Sequence, residues 1–126
     1  MASKLTNEEE EFVKALIKAN IPKNVGKALA YLAPRGEITS VEVEGSTGLR
    51  QPEVSIAMQE LRNRGWVSKR DIKKEGKGRP VHYYKLTKPL ESILEEIIKS
   101  EEQKIENIRQ NIENIKKYID LFKKPA

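Results

Sequence analysis

Residues 39–67 read TSVEVEGSTGLRQPEVSIAMQELRNRGWV, from Thr39 to Val67. Thr39 stands three residues before Glu42, so the two can exchange side-chain-to-backbone hydrogen bonds as a capping box and start a short helix. That helix is expected to stop by Gly45, with Ser46-Thr47-Gly48 as turn chemistry. Gln51-Pro52-Glu53 starts a second helix, with proline in the first turn and an acid beside it. Val54, Met58 and Leu61 share one face of that helix with Ala57 next to them, and Gly65 supplies the left-handed residue that ends it. A short helix, a glycine-containing turn and a second helix form a helix-turn-helix.

The segments on either side fit that centre. Downstream, Trp66–Ile72 and Val81–Leu86 are rich in β-formers and flank Lys73-Lys74-Glu75-Gly76-Lys77-Gly78-Arg79-Pro80; two strands around a basic glycine-rich tip make a wing. Upstream, Thr6 and Glu9 form another capping box, and Phe12, Val13, Leu16 and Ile17 repeat at helical spacing up to Asn20. Pro22 opens a helix striped by Val25, Leu29 and Leu32 that ends at Pro34-Arg35-Gly36, and Ile38 fits a very short strand. From Leu90 to about Phe122 the pattern is helical with no glycine or proline. The expected fold is therefore mainly α with a small β-wing: residues 1–21 an N-terminal helix able to share a dimer interface, 22–88 a winged helix-turn-helix, and 89–126 a long coiled-coil-like dimerisation helix. Ile98, Ile105, Ile112 and Ile119 are seven apart, Leu94, Ile108, Ile115 and Phe122 keep a second register that Glu101 interrupts, and from Ile105 the spacing alternates three and four. Such a stripe needs cover, from a second copy or from the first helix of the same chain. In a parallel pairing Lys104 would face Arg109, which disfavours that arrangement.

Charge sharpens the reading. The 126 residues carry 24 Lys plus Arg against 19 Asp plus Glu, a net +5. Residues 50–88 hold eleven basic and four acidic side chains, a block of +7, so the remainder is slightly acidic. An anionic partner fits a basic block on this architecture. Without cysteine there is no disulfide, thiolate zinc site or cysteine nucleophile, and a metal or catalytic histidine would rest on His82 alone. Gly76-Lys77-Gly78 is too short for a P-loop. No enzyme, metal or cofactor is expected. With a mean hydropathy of −0.66 and no apolar run near ~18 residues, no membrane partner is expected, and the N-terminus lacks the apolar core of a signal peptide. A cytoplasmic location follows as an expectation.

The stretches Gly48-Leu49-Arg50-Gln51-Pro52-Glu53-Val54-Ser55, Leu61-Arg62-Asn63-Arg64-Gly65-Trp66-Val67 and Gly78-Arg79-Pro80-Val81-His82-Tyr83-Tyr84-Lys85-Leu86-Thr87 resemble prokaryotic winged-helix transcriptional regulators. They look most like the archaeal regulators grouped with the TrmB, MarR and ArsR families. The resemblance covers about residues 22–88 and implies DNA binding and transcription regulation, with a dimerising C-terminal helix also common in those families. The chain has no room for the sugar-binding domain of full-length TrmB proteins and no Cys/His cluster like that of metal-sensing ArsR members. Its Lys-, Glu- and Ile-heavy composition fits a thermophilic or AT-rich archaeon.

The second helix of a helix-turn-helix lies in the major groove of double-stranded DNA, and its outward positions here are Arg50, Gln51, Glu53, Ser55, Ile56, Gln59 and Arg62. Gln51 and Gln59 suit adenine, Arg50 suits guanine, and Ile56 suits a thymine methyl or a neighbouring helix. Arg62 and Arg64 suit phosphates. Thr39, Ser40, Ser46 and Thr47 are neutral candidates for the DNA backbone, although Thr39 and Ser40 also have a capping role to fill. Lys73, Lys74, Lys77 and Arg79 on the wing suit the backbone or a narrow minor groove. Trp66 and one of Tyr83 and Tyr84 are expected in the core. A sequence-specific homodimeric DNA-binding regulator accounts for these features together. The alternative is a winged-helix protein-interaction module of the transcription machinery, which has no need of so basic a wing. No feature of the sequence assigns a small-molecule effector.

Overall fold

The structure, a computed structural model, describes residues 4–72 and 81–123. The elements run α1 (Asn7–Lys18), α2 (Lys23–Leu32), β1 (Glu37–Thr39), α3 (Ser40–Thr47), α4 (Gln51–Asn63), β2 (Val67–Ile72), β3 (Val81–Leu86) and α5 (Leu90–Lys123). They divide into two compact units, one up to Leu90 and one from Glu91 onward.

Local chemistry accounts for the ends of the helices. Both expected capping boxes form: the Glu9 N–H donates to the Thr6 hydroxyl at 3.1 Å and the Thr6 N–H to the Glu9 carboxylate at 2.9 Å. Thr39 and Glu42 repeat the exchange at 3.2 Å in both directions. α1 ends at Lys18, two residues before Asn20, to which its periodicity runs. Asn20 takes a left-handed φ of 65° there, and the Ile21 N–H bonds back to the Leu16 carbonyl at 3.0 Å. The same closure recurs after α4, where Gly65 has φ 78° and the Trp66 N–H reaches the Leu61 carbonyl at 3.1 Å.

α3 departs from the expectation. It continues through Gly45 to Thr47, so Ser46 and Thr47 are helical rather than turn residues. The stop is Gly48, whose φ of 76° belongs to the left-handed region and whose N–H bonds the Glu44 carbonyl at 3.1 Å. The Thr47 hydroxyl reinforces the last turn by donating to the Val43 carbonyl at 2.6 Å.

In the first unit, α1 packs on α2 over Gly26, where a side chain would make only ordinary contacts. A Cβ there would meet Val13 and Leu16 at 3.6–3.7 Å. The core gathers Leu29, Tyr31 and Leu32 from α2, Ile38 from β1, Val43 from α3, and Val54, Met58 and Leu61 from α4, all essentially inaccessible to solvent. Trp66 and Tyr84 join it from the sheet. The sheet is antiparallel in the order β1-β3-β2, pairing Ile38 with Tyr84 and Lys69 with Tyr84. The wing therefore has a third strand at its base, supplied by the residues around Ile38. Arg70 on β2 reaches over β3 to Glu37 on β1, with hydrogen bonds of 3.0 and 2.8 Å, and lies 5.0 Å over the Tyr83 ring.

The second unit is the rest of α5, whose 34 residues span ~51 Å at ~1.5 Å per residue. Leu94 is half-buried, whereas Ile98, Ile105, Ile108, Ile112, Ile115, Ile119 and Phe122 are exposed, at 46–79%. Tyr118 and Phe122 stack with ring centroids 5.9 Å apart.

Candidate nucleic-acid interface

α4 is anchored by its inner face, where Val54, Ala57, Met58 and Leu61 are all buried. This leaves Gln51, Pro52, Ser55, Ile56, Gln59, Arg62 and Asn63 exposed on the outside. Ile56 is 71% exposed, so it packs on no neighbouring helix within the described residues to any great extent. A large aliphatic side chain held in water on a helix of otherwise polar outer face is free to meet an apolar group of a partner.

The polar side chains around it are partly organised. The Gln59 amide donates to the Asn63 side chain at 2.9 Å and accepts from the Arg62 guanidinium at 3.3 Å. Asn63 was not among the expected contacts; its place at i+4 from Gln59 is the sequence signal for it. The Glu53 carboxylate accepts the Arg50 N–H at 2.9 Å, so it closes the start of α4. Arg50 and Arg62 form no ion pair with any acid among the described residues. Arg64 is held differently: its guanidinium bonds Glu60 at 3.1 Å and lies 5.2 Å over the Trp66 ring.

The four neutral candidates, Thr39 at the cap of α3 and Ser40, Ser46 and Thr47 within it, are less available than their sequence positions imply. Ser40 and Ser46 are buried. Thr39 is occupied in its capping box, and the Thr47 hydroxyl donates to Val43 while accepting the Leu49 N–H at 3.2 Å. The physical reason is the rotation of α3. It turns Val43 inward and leaves Val41 70% exposed, which carries Ser40 and Ser46 to the inner side.

On the wing, Lys73, Lys74, Lys77 and Arg79 lie outside the described residues. β2 and β3, which flank them in sequence, are described and are tied by charge. Besides the Arg70–Glu37 pair, the Asp71 carboxylate lies 2.6 Å from His82 Nδ1 and 3.8 Å from Lys69 Nζ. The hydrogen bond from Arg70 holds the Glu37 carboxyl below its ordinary pKa, and that from His82 does the same for Asp71. Burial pushes the Tyr84 hydroxyl up. Among the described residues no group of three or more His, Cys, Asp or Glu side chains could hold a metal ion. None of the described helices is long and apolar enough to cross a membrane.

No protein-family model and no curated protein sequence matches the chain. Solved structures do. The archaeal chromatin protein TrmBL2, described as showing a novel mode of DNA binding, aligns with a TM-score of 0.63 at 16% identity over 90% of this chain and 42% of its own. This chain thus spans less than half the length of that relative. A possible transcriptional regulator from Methanosarcina mazei aligns at 0.59 and 17% identity, over 79% of this chain and 87% of its own. A transcriptional regulator homologue from Pyrococcus horikoshii aligns at 0.52 and 16%, over 80% and 97%. At such identities the likeness is one of fold, and the fold is that of the winged-helix transcriptional regulators.

Proposed function

We propose that this chain is a sequence-specific regulator of transcription that binds double-stranded DNA as a homodimer. α4 enters the major groove and the basic wing follows the backbone or the minor groove. The observation that carries this reading is the outer face of α4, where two arginines without acid partners among the described residues flank exposed Gln51, Ser55, Ile56 and Gln59. Arg50 matches the acceptors of guanine, the two glutamines match adenine, and Ile56 matches a thymine methyl. Arg62 meets phosphate, and Arg64 does so only by leaving Glu60. Lys73, Lys74, Lys77 and Arg79 supply the charge for backbone contacts. The DNA binding described for TrmBL2, which shares the fold, supports the assignment.

The homodimer rests on the alternating three-and-four stripe of α5, which is exposed from Ile105 to Phe122 in the single chain. Two copies related by a two-fold axis read half-sites ~10 bp or a multiple apart. Selection of binding sites from random duplex DNA tests the whole reading. A pseudo-palindromic site is expected, with an affinity that falls steeply with salt, as ~6 to 8 phosphate contacts per dimer require. A selection that yields no preferred site, or an affinity nearly flat in salt, overturns it.

A further inference from the structure

Beside its apolar stripe, α5 carries an uneven charge. Residues 90–106 hold six acidic and two basic side chains, whereas 107–123 hold two acidic and four basic ones, so the first half of the helix is −4 and the second +2. The asymmetry is sharpest along one row next to the stripe. With Ile105 as the first position of a heptad, the fifth positions are Glu95, Glu102, Arg109, Lys116 and Lys123 in chain order. Positions that flank a two-helix seam set the choice and orientation of the partner. Glu95, Glu102, Arg109 and Lys123 form no ion pair among the described residues, and Lys116 has the exposed Glu113 at 3.2 Å.

The two ways of pairing α5 with a second copy treat this row differently. In a parallel pair each fifth position faces a seventh position of the other helix. Glu102 then meets Ile97, Arg109 meets Lys104, Lys116 meets Asn111 and Lys123 meets Tyr118. No opposite charges face each other, and one like pair forms. Reversing one helix sets the fifth positions against one another instead. With Ile98 opposite Phe122, Ile105 opposite Ile115 and Ile108 opposite Ile112, the exposed stripe is covered along its length. Glu95 then meets Lys123 and Glu102 meets Lys116, each twice in a symmetric pair. The two copies of Arg109, at the centre, are the one like pair in this row. Glu101, which breaks the stripe, opposes Ile119, and its carboxylate is already held by Lys104 at 2.7 Å.

We propose that the exposed face of α5 docks a second copy of α5 running antiparallel, with Glu95 and Glu102 of each chain against Lys123 and Lys116 of the other. The occupant is chosen by complementarity: the acidic half of this helix matches the basic half of the same helix reversed. The inference rests on the homodimer reading and adds to it the direction and register of the pair.

The chain has no cysteine, so one introduced cysteine carries one nitroxide label. Labels at Gln110→Cys, Lys99→Cys and Asp120→Cys in the full chain, read by pulsed electron spin resonance, measure direction and register. Across an antiparallel pair the two Gln110 labels lie side by side, whereas the Lys99 labels and the Asp120 labels are each offset along the axis by about 30 Å, at ~1.5 Å per residue. A short distance at 110 and two longer, similar distances at 99 and 120 are expected. Three equal distances overturn the antiparallel arrangement, and distances at 99 and 120 that differ by more than about 10 Å overturn the register. Charge reversal reads the same pairing independently. Glu95→Lys/Glu102→Lys and Lys116→Glu/Lys123→Glu should each weaken self-association about tenfold or more, and an equimolar mixture of the two should restore it. In a parallel pair none of these four positions faces a charge, so unchanged association in both variants, or no recovery in the mixture, overturns the pairing. A wild-type chain that sediments as a monomer overturns the homodimer reading itself and this inference with it.

Discussion

The two units of this chain treat their isoleucines and leucines in opposite ways. Up to Leu90, most of the residues that periodicity marks as apolar are buried: Leu29, Leu32, Ile38, Val43, Val54 and Leu61 have at most 1% exposure, while Ile17 on α1 is left 41% exposed. Along α5 the heptad positions from Ile105 to Phe122 lie open to solvent. Both patterns are equally regular in sequence. The first is satisfied by elements of the same chain, which fold around one another. The second is a single helix, and a single helix cannot bury its own stripe, which is the ground on which a dimer is proposed.

Substitutions with the largest expected effects test that contrast directly. Leu61→Ala should cost about 2–5 kcal/mol of unfolding free energy at any protein concentration, because it opens a cavity in a sealed core. Ile108→Lys/Ile115→Lys should leave the thermal transition of the first unit in place but convert dimers to monomers in sedimentation. A dimer that persists in that variant means the seam lies elsewhere. Monomers should also bind DNA more weakly, through loss of the second half-site.

The next effects are on DNA. Arg50→Ala should cost about 1–3 kcal/mol at one base position and relax specificity there. Lys74→Ala/Lys77→Ala/Arg79→Ala should weaken all sequences alike and flatten the dependence on salt. Unchanged binding in that variant removes the wing from the interface. Arg62→Ala should weaken DNA binding more than Arg64→Ala, since the Arg64 guanidinium already rests on Glu60 and Trp66. Ile56→Ser should change stability by less than about 0.5 kcal/mol, as for other surface positions. It should lower affinity only for sites with thymine at the contacted step, which competition binding between A·T and G·C variants of the selected site would reveal.

How far the sequence reaches is set by the range of the interactions involved. Thr6 with Glu9, Thr39 with Glu42, and Gly65 after Leu61 are local devices, so the boundaries they control can be read directly. The apolar face of α4 is legible for the same reason, since three turns suffice to fix which side is buried. α3 has eight residues, barely two turns, and too few to decide its rotation. Val41 is apolar yet 70% exposed, while Ser40 and Ser46, expected at the DNA backbone, are buried. Gly45 reads as a stop, yet only Gly48 has the positive φ that ends the helix. The Arg70–Glu37 pair joins residues 33 apart through the registers of two strand pairs, and no spacing in the sequence announces it.

A smaller effect distinguishes the units by pH. Glu9 is partly buried beside Arg35, whose guanidinium donates to it at 2.8 Å, bonds the Tyr31 carbonyl at 2.7 Å and lies 3.8 Å over the Tyr31 ring. Burial alone would raise the Glu9 carboxyl, but the hydrogen bonds from Arg35 and the Thr6 N–H, with the charge of Arg35, outweigh it and hold the group below its ordinary 4.5. A carboxyl depressed in the folded state binds its proton more readily when unfolded. Its contribution is thus present above pH 4.5 and lost as the pH falls through the depressed folded value. Roughly 1 kcal/mol is expected from a pair of this kind. Arg35→Gln should therefore destabilise the first unit more at pH 7 than at pH 3, and urea titrations at the two pH values measure the difference. The α5 pairs Glu101–Lys104 and Glu113–Lys116, at 2.7 and 3.2 Å, join side chains three apart on an exposed helix. Each is worth only a few tenths of a kcal/mol. Lys104→Gln should leave the first unit's unfolding unchanged at either pH, so an equal loss in the two variants would mean that Glu9 and Arg35 do no more for their core than a surface pair does for α5.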